Sequence, residues 1–243
     1  PQAMLTIVQG LIWLSFSRIE VIFGLGALNE LFAEGFKLAG YYCLLKGIYY
    51  VSIEEPFKRQ KKIEARMNYL AYHDELTGLP NRRMFAEKVQ AEMNRVSRDD
   101  GQFSLLWLDL DRFKTINDSM GHAFGDRLLV AVAARLASLF DKPDNIYRMG
   151  GDEFTVLLPG TGAEQAAEAA QKLVDTFEAP IRVGLSAFHL SVSVGIAVYP
   201  DDGDSLDLLQ QNADTAMYSA KETRNGWKRY APSMNRKVKE RLL

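Results

Sequence analysis

The chain has 243 residues, 47% of them hydrophobic and 25% charged, with a formal net charge of −2. This is the composition of an ordinary folded protein, and it lacks the basic excess of a nucleic-acid-binding domain, so no nucleic-acid partner is expected. Its one cysteine, Cys43, excludes an intrachain disulfide and fits a reducing compartment.

The chain opens on Pro1 with no signal-peptide pattern behind it, so it is expected to be a fragment of something longer. From Met4 to Ile53 apolar and aromatic residues dominate. The stretch "MLTIVQGLIWLSFS" (4–17) is uncharged, and "GFKLAGYYCLLKGIYYVSI" (35–53) carries only Lys37 and Lys46, a length that reaches across a hydrocarbon core. Lys37 can snorkel to an interface, whereas Lys46 lies deeper and needs a polar partner or water. A basic cluster follows at once, Lys58, Arg59, Lys61, Lys62 and Arg66, which by the positive-inside rule faces the cytoplasm. Residues 1–55 are therefore expected to be apolar helices attached to the cell membrane. The alternative is a pair of buried or amphipathic helices in a soluble domain. Residues 56–73 predict a connector helix, with Phe57, Ile63, Met67, Leu70 and Ala71 near helical spacing among charges. It reads as a solvated linker, and pairing with a second copy is the alternative, though it is too short for sustained heptads.

The remainder alternates its periods. Phe85, Val89, Met93 and Val96 predict a helix over 81–98. "FSLLWLDLD" (103–111) predicts a buried strand ending in acids, and 125–140 an amphipathic helix. Strands are predicted at 146–149 and 154–158, joined at a Gly-Gly turn. An alanine-rich helix over 163–178 stops before Pro180. Residues 181–183 and 188–199 predict another hairpin, and 205–223 a last helix with an N-cap candidate in "DSLD". Hairpins mixed with helices indicate an α+β fold.

No phosphate-binding G-x-x-x-x-G-K-[ST] loop, complete G-x-G-x-x-G or G-x-S-x-G elbow occurs, and His73, His122 and His189 have no zinc-like spacing. Carboxylates remain. Asp109 and Asp111 end an otherwise apolar strand, and Asp152 and Glu153 sit at a hairpin tip. Burying a carboxylate is costly unless it is paired or binds a cation. For one Asp alone, strand-end solvation is the simpler reading. Two acidic clusters on neighbouring strands would converge instead, as oxygen ligands of Mg²⁺ with substrate phosphates completing the shell. Such a site polarises a phosphate and lowers the pKa of an attacking hydroxyl. Between the clusters, Lys114 offers a charge, and Asn117 and Asp126 flank a glycine-containing loop. An Asp acceptor facing a purine's N1–H and exocyclic amine prefers guanine. Taken singly, Asn117 is also a turn former and Asp126 a helix N-cap.

Five stretches, "DELTGLPNRRMF" (74–85), "DLDRFKTINDSMGHAFGD" (109–126), "RMGGDEF" (148–154), "SVGIAVYP" (193–200) and "ADTAMYSAKETRN" (213–225), resemble in order and spacing the GGDEF family of diguanylate cyclases. The resemblance covers about 72–232 and implies an antiparallel-centred sheet wrapped by helices, similar to the palm of nucleotide cyclases and polymerases, as a catalytic domain over 74–232. It implies condensation of two GTP into cyclic di-GMP with release of pyrophosphate, in a homodimer whose two domains each hold half the reaction. Position by position, it implies that Asp109, Asp152 and the Leu110 carbonyl hold Mg²⁺ (or Mn²⁺), with Glu153 sharing metal or proton-transfer duty. Asn117 and Asp126 would read guanine, and Lys114, Lys221 and Arg224 would contact phosphate. Gly150 and Gly151 would let the backbone approach the nucleotide.

Two departures stand out. Where many members carry an R-x-x-D product-inhibition site, this chain has "DKPD" with Asp141 in the arginine's place and only Asp144 kept, so little product inhibition is expected there. The family's "AK-x-x-G-R-N" ending reads one residue short in "AKETRNG", which leaves the register of Arg224 open. Residues 35–57 resemble the last helix of a membrane-associated sensor, and 233–243 the start of a linker to an EAL phosphodiesterase domain, or equally a generic terminal helix. The rival reading is a GTP-binding module that does not turn over and regulates such a downstream domain.

Overall fold

The computed structural model describes residues 2–22, 26–99, 101–140, 145–184 and 186–235. The chain divides into two compact units, residues 1–69 and 70–243.

In the first unit α1 (Gln2–Ile22) packs along α2 (Gly26–Tyr49). The helices meet at small residues. A Cβ built on Gly10 would lie 3.0 Å from the Gly40 carbonyl oxygen, and one on Gly47 2.4 Å from Ile7 Cγ1. With glycines turned inward, large apolar side chains such as Leu5, Leu11, Leu38, Tyr42 and Leu45 stay exposed. A π-helical turn, Tyr50–Glu54, leads from α2 into α3 (Glu55–Tyr72). Pro56 explains the turn: it has no N–H, and its ring crowds the carbonyl four residues back. Bonding shifts there to an i→i−5 step, with the Glu55 N–H donating to the Tyr50 carbonyl.

Among the described residues no helix is long and apolar enough to cross a membrane, which corrects the span expected over 35–53. That stretch is split between α2, the π turn and their junction, and α2 carries Glu30, Glu34, Lys37 and Lys46 in its sequence. Lys37 is paired with Glu34 at 2.6 Å, and Lys46 Nζ stands 5.7 Å over the Tyr42 ring.

The second unit is built on a five-stranded sheet in the order β2-β3-β1-β6-β7. The strands are β1 (Phe103–Leu110), β2 (Ile146–Gly150), β3 (Glu153–Pro159), β6 (Val192–Tyr199) and β7 (Gly226–Arg229). All neighbours are antiparallel except β6 and β7, which run parallel. β4 (Ile181–Val183) and β5 (Ser186–Phe188) form a separate small hairpin. The helices are α4 (Arg82–Asp99), α5 (Phe113–Met120), α6 (His122–Leu139), α7 (Ala163–Thr176) and α8 (Leu206–Ala220). The expected α+β architecture, an antiparallel-centred sheet wrapped by helices, is what forms.

Every residue of β1 is buried because both faces are covered. Leu106, Leu108 and Leu110 pack with Leu128 and Val132 of α6 and Leu173 of α7. Phe103, Leu105 and Trp107 pack on the other side with Phe85 and Val89 of α4 and Leu209 and Met217 of α8. Three sequence expectations change. The hairpin partner of 181–183 is 186–188 and not the long strand that follows, since β6 is claimed on both edges by β1 and β7. The helix expected from 125 begins at His122 and is preceded by α5. The glycine pair does not form the turn alone: Gly150 ends β2 at a bulge, and the two-residue connection is Gly151–Asp152.

Candidate functional site

Alternation along two paired strands assembles the acids. Asp109 and Glu153 are cross-strand partners. Successive side chains of a strand point to opposite faces, so Asp109 lies on the face of Leu105 and Trp107, and Glu153 on that of Thr155 and Leu157. That is the face covered by α4 and α8. Asp152 belongs to the turn immediately before Glu153, which Gly151 opens with φ +53°, a conformation glycine adopts without a Cβ penalty.

From the same side α8 brings a cation. It can lie directly on β6 because Gly195 has no side chain: a Cβ there would sit 2.0 Å from the Ala213 carbonyl oxygen and 2.2 Å from the Met217 nitrogen. The residue after α8, Lys221, places its Nζ 2.7 Å from Asp109 Oδ2. Asp214 lies seven residues earlier, on the same stripe of the helix.

The charges are crowded. Burial pushes the Asp109 carboxyl above its ordinary range, and repulsion from Asp152 and Asp111 adds to this, while the hydrogen bond from Lys221 opposes it. Glu153 is raised by burial and then by Asp214, Asp109 and Asp152. Asp214 is raised by burial, with Lys221 opposing. A crowd of carboxylates, from buried Asp109 through partly buried Asp152 and Glu153 to exposed Asp214, that one lysine does not neutralise and that offers oxygen donors only, fits a hard divalent cation. No ready-made group of three His, Cys, Asp or Glu ligands for a metal exists among the described residues, and Lys221 covers Asp109 instead. Leu110 has its side chain in the core, so only its carbonyl is available to such a cation.

A second cluster lies where α5 meets α6. Asn117 Oδ1 is buried and has no hydrogen-bond partner. It rests against Gly125, where a Cβ would sit 1.8 Å away, and Asp126 follows directly. Because α6 starts at His122 with Gly121 as its N-cap, Asp126 is inside the helix and does not cap it. Asn117 likewise lies in α5 and not in an isolated turn. Lys114 is exposed in the first turn of α5 and makes no ion pair among the described residues. Arg224 is exposed, in a left-handed conformation at φ +54°.

Arg148 and Asp214 are not singled out by the sequence, and Asp111, read there as half of an acidic pair at a strand end, takes a different part. Asp111 is buried and accepts hydrogen bonds from Ser191 Oγ (2.6 Å), Ser193 Oγ (2.8 Å) and the Asn225 N–H (3.2 Å). Arg148 donates to the Gly151 carbonyl through Nε (3.1 Å) and Nη2 (2.8 Å), and to Asp74 through Nη1 (2.7 Å). Asp214 was signalled only by its seven-residue offset from Lys221. Asp141 and Asp144 of the expected product-inhibition site, and residues 236–243 of the expected linker, lie outside the described residues.

With this geometry in place, comparison with known proteins is specific. Residues 71–226 match the family model described as diguanylate cyclase, GGDEF domain. The chain is 42% identical over 174 residues to the bifunctional diguanylate cyclase/cyclic di-GMP phosphodiesterase MucR of Pseudomonas aeruginosa, covering 71% of this chain and 25% of MucR. It is 36% identical over 184 residues to the cyclic di-GMP phosphodiesterase PdeR of Escherichia coli, covering 75% of this chain and 28% of PdeR. The chain thus spans about a quarter of the length of these relatives. Among solved structures, the GGDEF domain of TpbB (YfiN) from Pseudomonas aeruginosa aligns with a TM-score of 0.66 at 36% identity, over 69% of this chain and 99% of that domain.

Proposed function

The chain belongs to the GGDEF domain family of diguanylate cyclases, and from that membership we propose that it condenses two molecules of GTP into cyclic di-GMP and pyrophosphate. The observation that carries this reading is the cross-strand pair Asp109 and Glu153, on one face with Lys221 2.7 Å from Asp109. Asp109, Asp152, Glu153 and the Leu110 carbonyl are the groups that would hold Mg²⁺ or Mn²⁺. A divalent ion bound there supplies phosphate polarisation and a more acidic attacking hydroxyl.

The chain's own residues do the rest. Asn117, with a buried and unpartnered amide oxygen, and Asp126 hold the guanine. Lys114, Lys221 and Arg224 neutralise the triphosphate, and Gly150 and Gly151 admit it close to the backbone. The 3′-hydroxyl of each GTP attacks the α-phosphate of the other, so two phosphodiester bonds form, each losing the hydroxyl proton, and two pyrophosphates are displaced. Each domain presents one nucleotide, so turnover needs two domains face to face in a homodimer. Incubation with GTP and Mg²⁺, with products resolved by chromatography, tests the activity. Asp152→Asn should abolish product while the protein still folds; a fully active variant refutes the role of Asp152.

A second reading has support in the relatives named as phosphodiesterases: a GTP-binding GGDEF module that does not turn over and regulates an EAL phosphodiesterase domain. GTP binding without product from a dimeric protein would favour it.

We also propose that the first unit attaches the protein to the cell membrane without crossing it, leaving the GGDEF domain in the cytoplasm. Its support is the exposed apolar faces of α1 and α2 and the basic cluster of α3, which together suit an interfacial helix pair. Flotation with lipid vesicles tests it, and a protein that stays at the bottom of the gradient overturns it.

A further inference from the structure

Asp109 and Asp111 stand two residues apart and grip the same distant segment in different ways. Asp109 takes the Lys221 side chain. Asp111, 7% exposed, takes the backbone N–H of Asn225. Its other two acceptor contacts go to Ser191 and Ser193, at the entrance of β6, and its own N–H donates to the Ser191 carbonyl at 2.9 Å. A buried carboxylate needs such donors, and no cation pairs with Asp111 among the described residues.

The gripped segment needs restraint. After α8 the chain passes through Arg224 at φ +54° and Asn225 at φ +46°, two successive left-handed residues with no glycine between them. That conformation is uncommon for residues other than glycine. It persists where the surroundings over-determine it. Here α8 is fixed on one side by its contact at Gly195, and β7 on the other by its ladder with β6. Among the described residues, the Asp111 carboxylate is the side chain that bonds the backbone N–H of Asn225 in this turn.

We propose that Asp111 is a positioning residue: its carboxylate locks the turn after α8 so that Lys221 meets Asp109 and Arg224 is presented to the substrate phosphates. This rests on the cyclase reading above. Asp111→Asn keeps the shape but removes the charge and turns one acceptor oxygen into a donor, so one of the serine hydroxyls must stop donating to this side chain.

The test is a double-mutant cycle combined with labelling. In the otherwise native chain Asp111→Asn should lower kcat about 10²-fold, the scale of a small misplacement of reacting groups. In a chain already carrying Lys221→Met and Arg224→Met it should cost less than about threefold, because the groups it positions are gone. A purely structural role gives equal losses in both backgrounds. Labelling of Lys221 by an amine-acylating reagent, mapped by mass spectrometry, needs no turnover and should rise several-fold in Asp111→Asn. If Asp111→Asn does not fold, Asp111→Glu answers the same question, since it keeps the charge and displaces the turn by one methylene. Native protein that makes no cyclic product, with Lys221 labelling still raised in the variant, sinks the cyclase reading and leaves the positioning intact. Active native protein with unchanged labelling, or with equal losses in both backgrounds, overturns the inference.

Discussion

Arg148 joins Asp74 to the turn that carries Asp152: its guanidinium lies 2.7 Å from Asp74 Oδ1 and holds the Gly151 carbonyl with its other two donors. Asp74 lies two residues beyond the end of α3, and Gly151 precedes Asp152. One side chain therefore spans from the chain's entrance into the second unit to the acids of the site. The bond is reinforced from below, where Asn81 Nδ2 donates to the Ala71 carbonyl and the Arg148 N–H donates to the Pro80 carbonyl.

Asp74→Ala leaves a guanidinium that is 9% exposed without its counter-charge. We expect a loss of about 1–3 kcal/mol in stability, measured by denaturant unfolding. Burial pushes the Asp74 carboxyl up, but hydrogen bonds from Thr77 and Arg148 outweigh it and hold it below its ordinary value. A depressed carboxyl contributes fully above the unfolded value near 3.9 and is lost as pH falls through the folded one. The gap between variant and native protein should close below about pH 4; a gap that stays constant into acid rules this ion pair out as its source.

Glu153→Gln should separate stability from function. The raised Glu153 carboxyl means that its charge disfavours the fold near neutral pH, a cost that fades as pH falls and the group takes up a proton. The neutral variant should melt at a higher temperature than the native protein at pH 7. Added Mg²⁺ should raise the melting point of native protein and have little effect on the variant. A variant that melts lower contradicts the crowding of carboxylates around Glu153, and one that responds equally to Mg²⁺ removes Glu153 from the proposed metal site.

Gly125→Ala tests the proposed guanine pocket without removing any polar group. The new methyl would lie 1.8 Å from Asn117 Oδ1, so the amide must turn away. Affinity for a non-hydrolysable GTP analogue should fall by tenfold or more, roughly the worth of one hydrogen bond to a base, with melting temperature little changed. Calorimetric titration showing native affinity would remove Asn117 from the recognition role.

Gly195→Ala is expected to destabilise far more. Its methyl meets backbone atoms of α8 at 2.0 and 2.2 Å, which cannot rotate aside as a side chain can. A loss of about 3 kcal/mol and poor soluble yield are expected; a normal unfolding midpoint would mean that α8 can lift from the sheet freely.

Much of this is legible in the sequence alone, and the reason is local. Phe85, Val89, Met93 and Val96 keep helical spacing and are all buried, and β1 announced itself as an unbroken apolar run. α5 did not, because only Phe113 of its eight residues is buried and its neighbours are polar or glycine. β7 is four residues with no fully buried side chain, and forms because β6 offers it a free edge. The acids were legible as candidates, and their convergence depended on which strands are neighbours. Asp111 was legible only as half of a pair, since its donors lie 80 to 114 residues away. Contacts of that span are set by the assembled sheet and leave no period in the sequence.

The parallel pairing of β7 gives the second unit a direction. β6 begins beside the carboxylates, paired at Asp109 through Ser193, and ends at Tyr199 beside Phe103. By running with it, β7 carries the chain from Gly226 away from the acids toward the opposite rim of the sheet. The polypeptide comes in next to the rim that carries the acids, at Asp74, and β7 leads it toward the rim across from them. The entry at Asp74 lies one ion pair, through Arg148, from the turn that carries Asp152, whereas the stretch after Arg229 leaves from the rim opposite the acids.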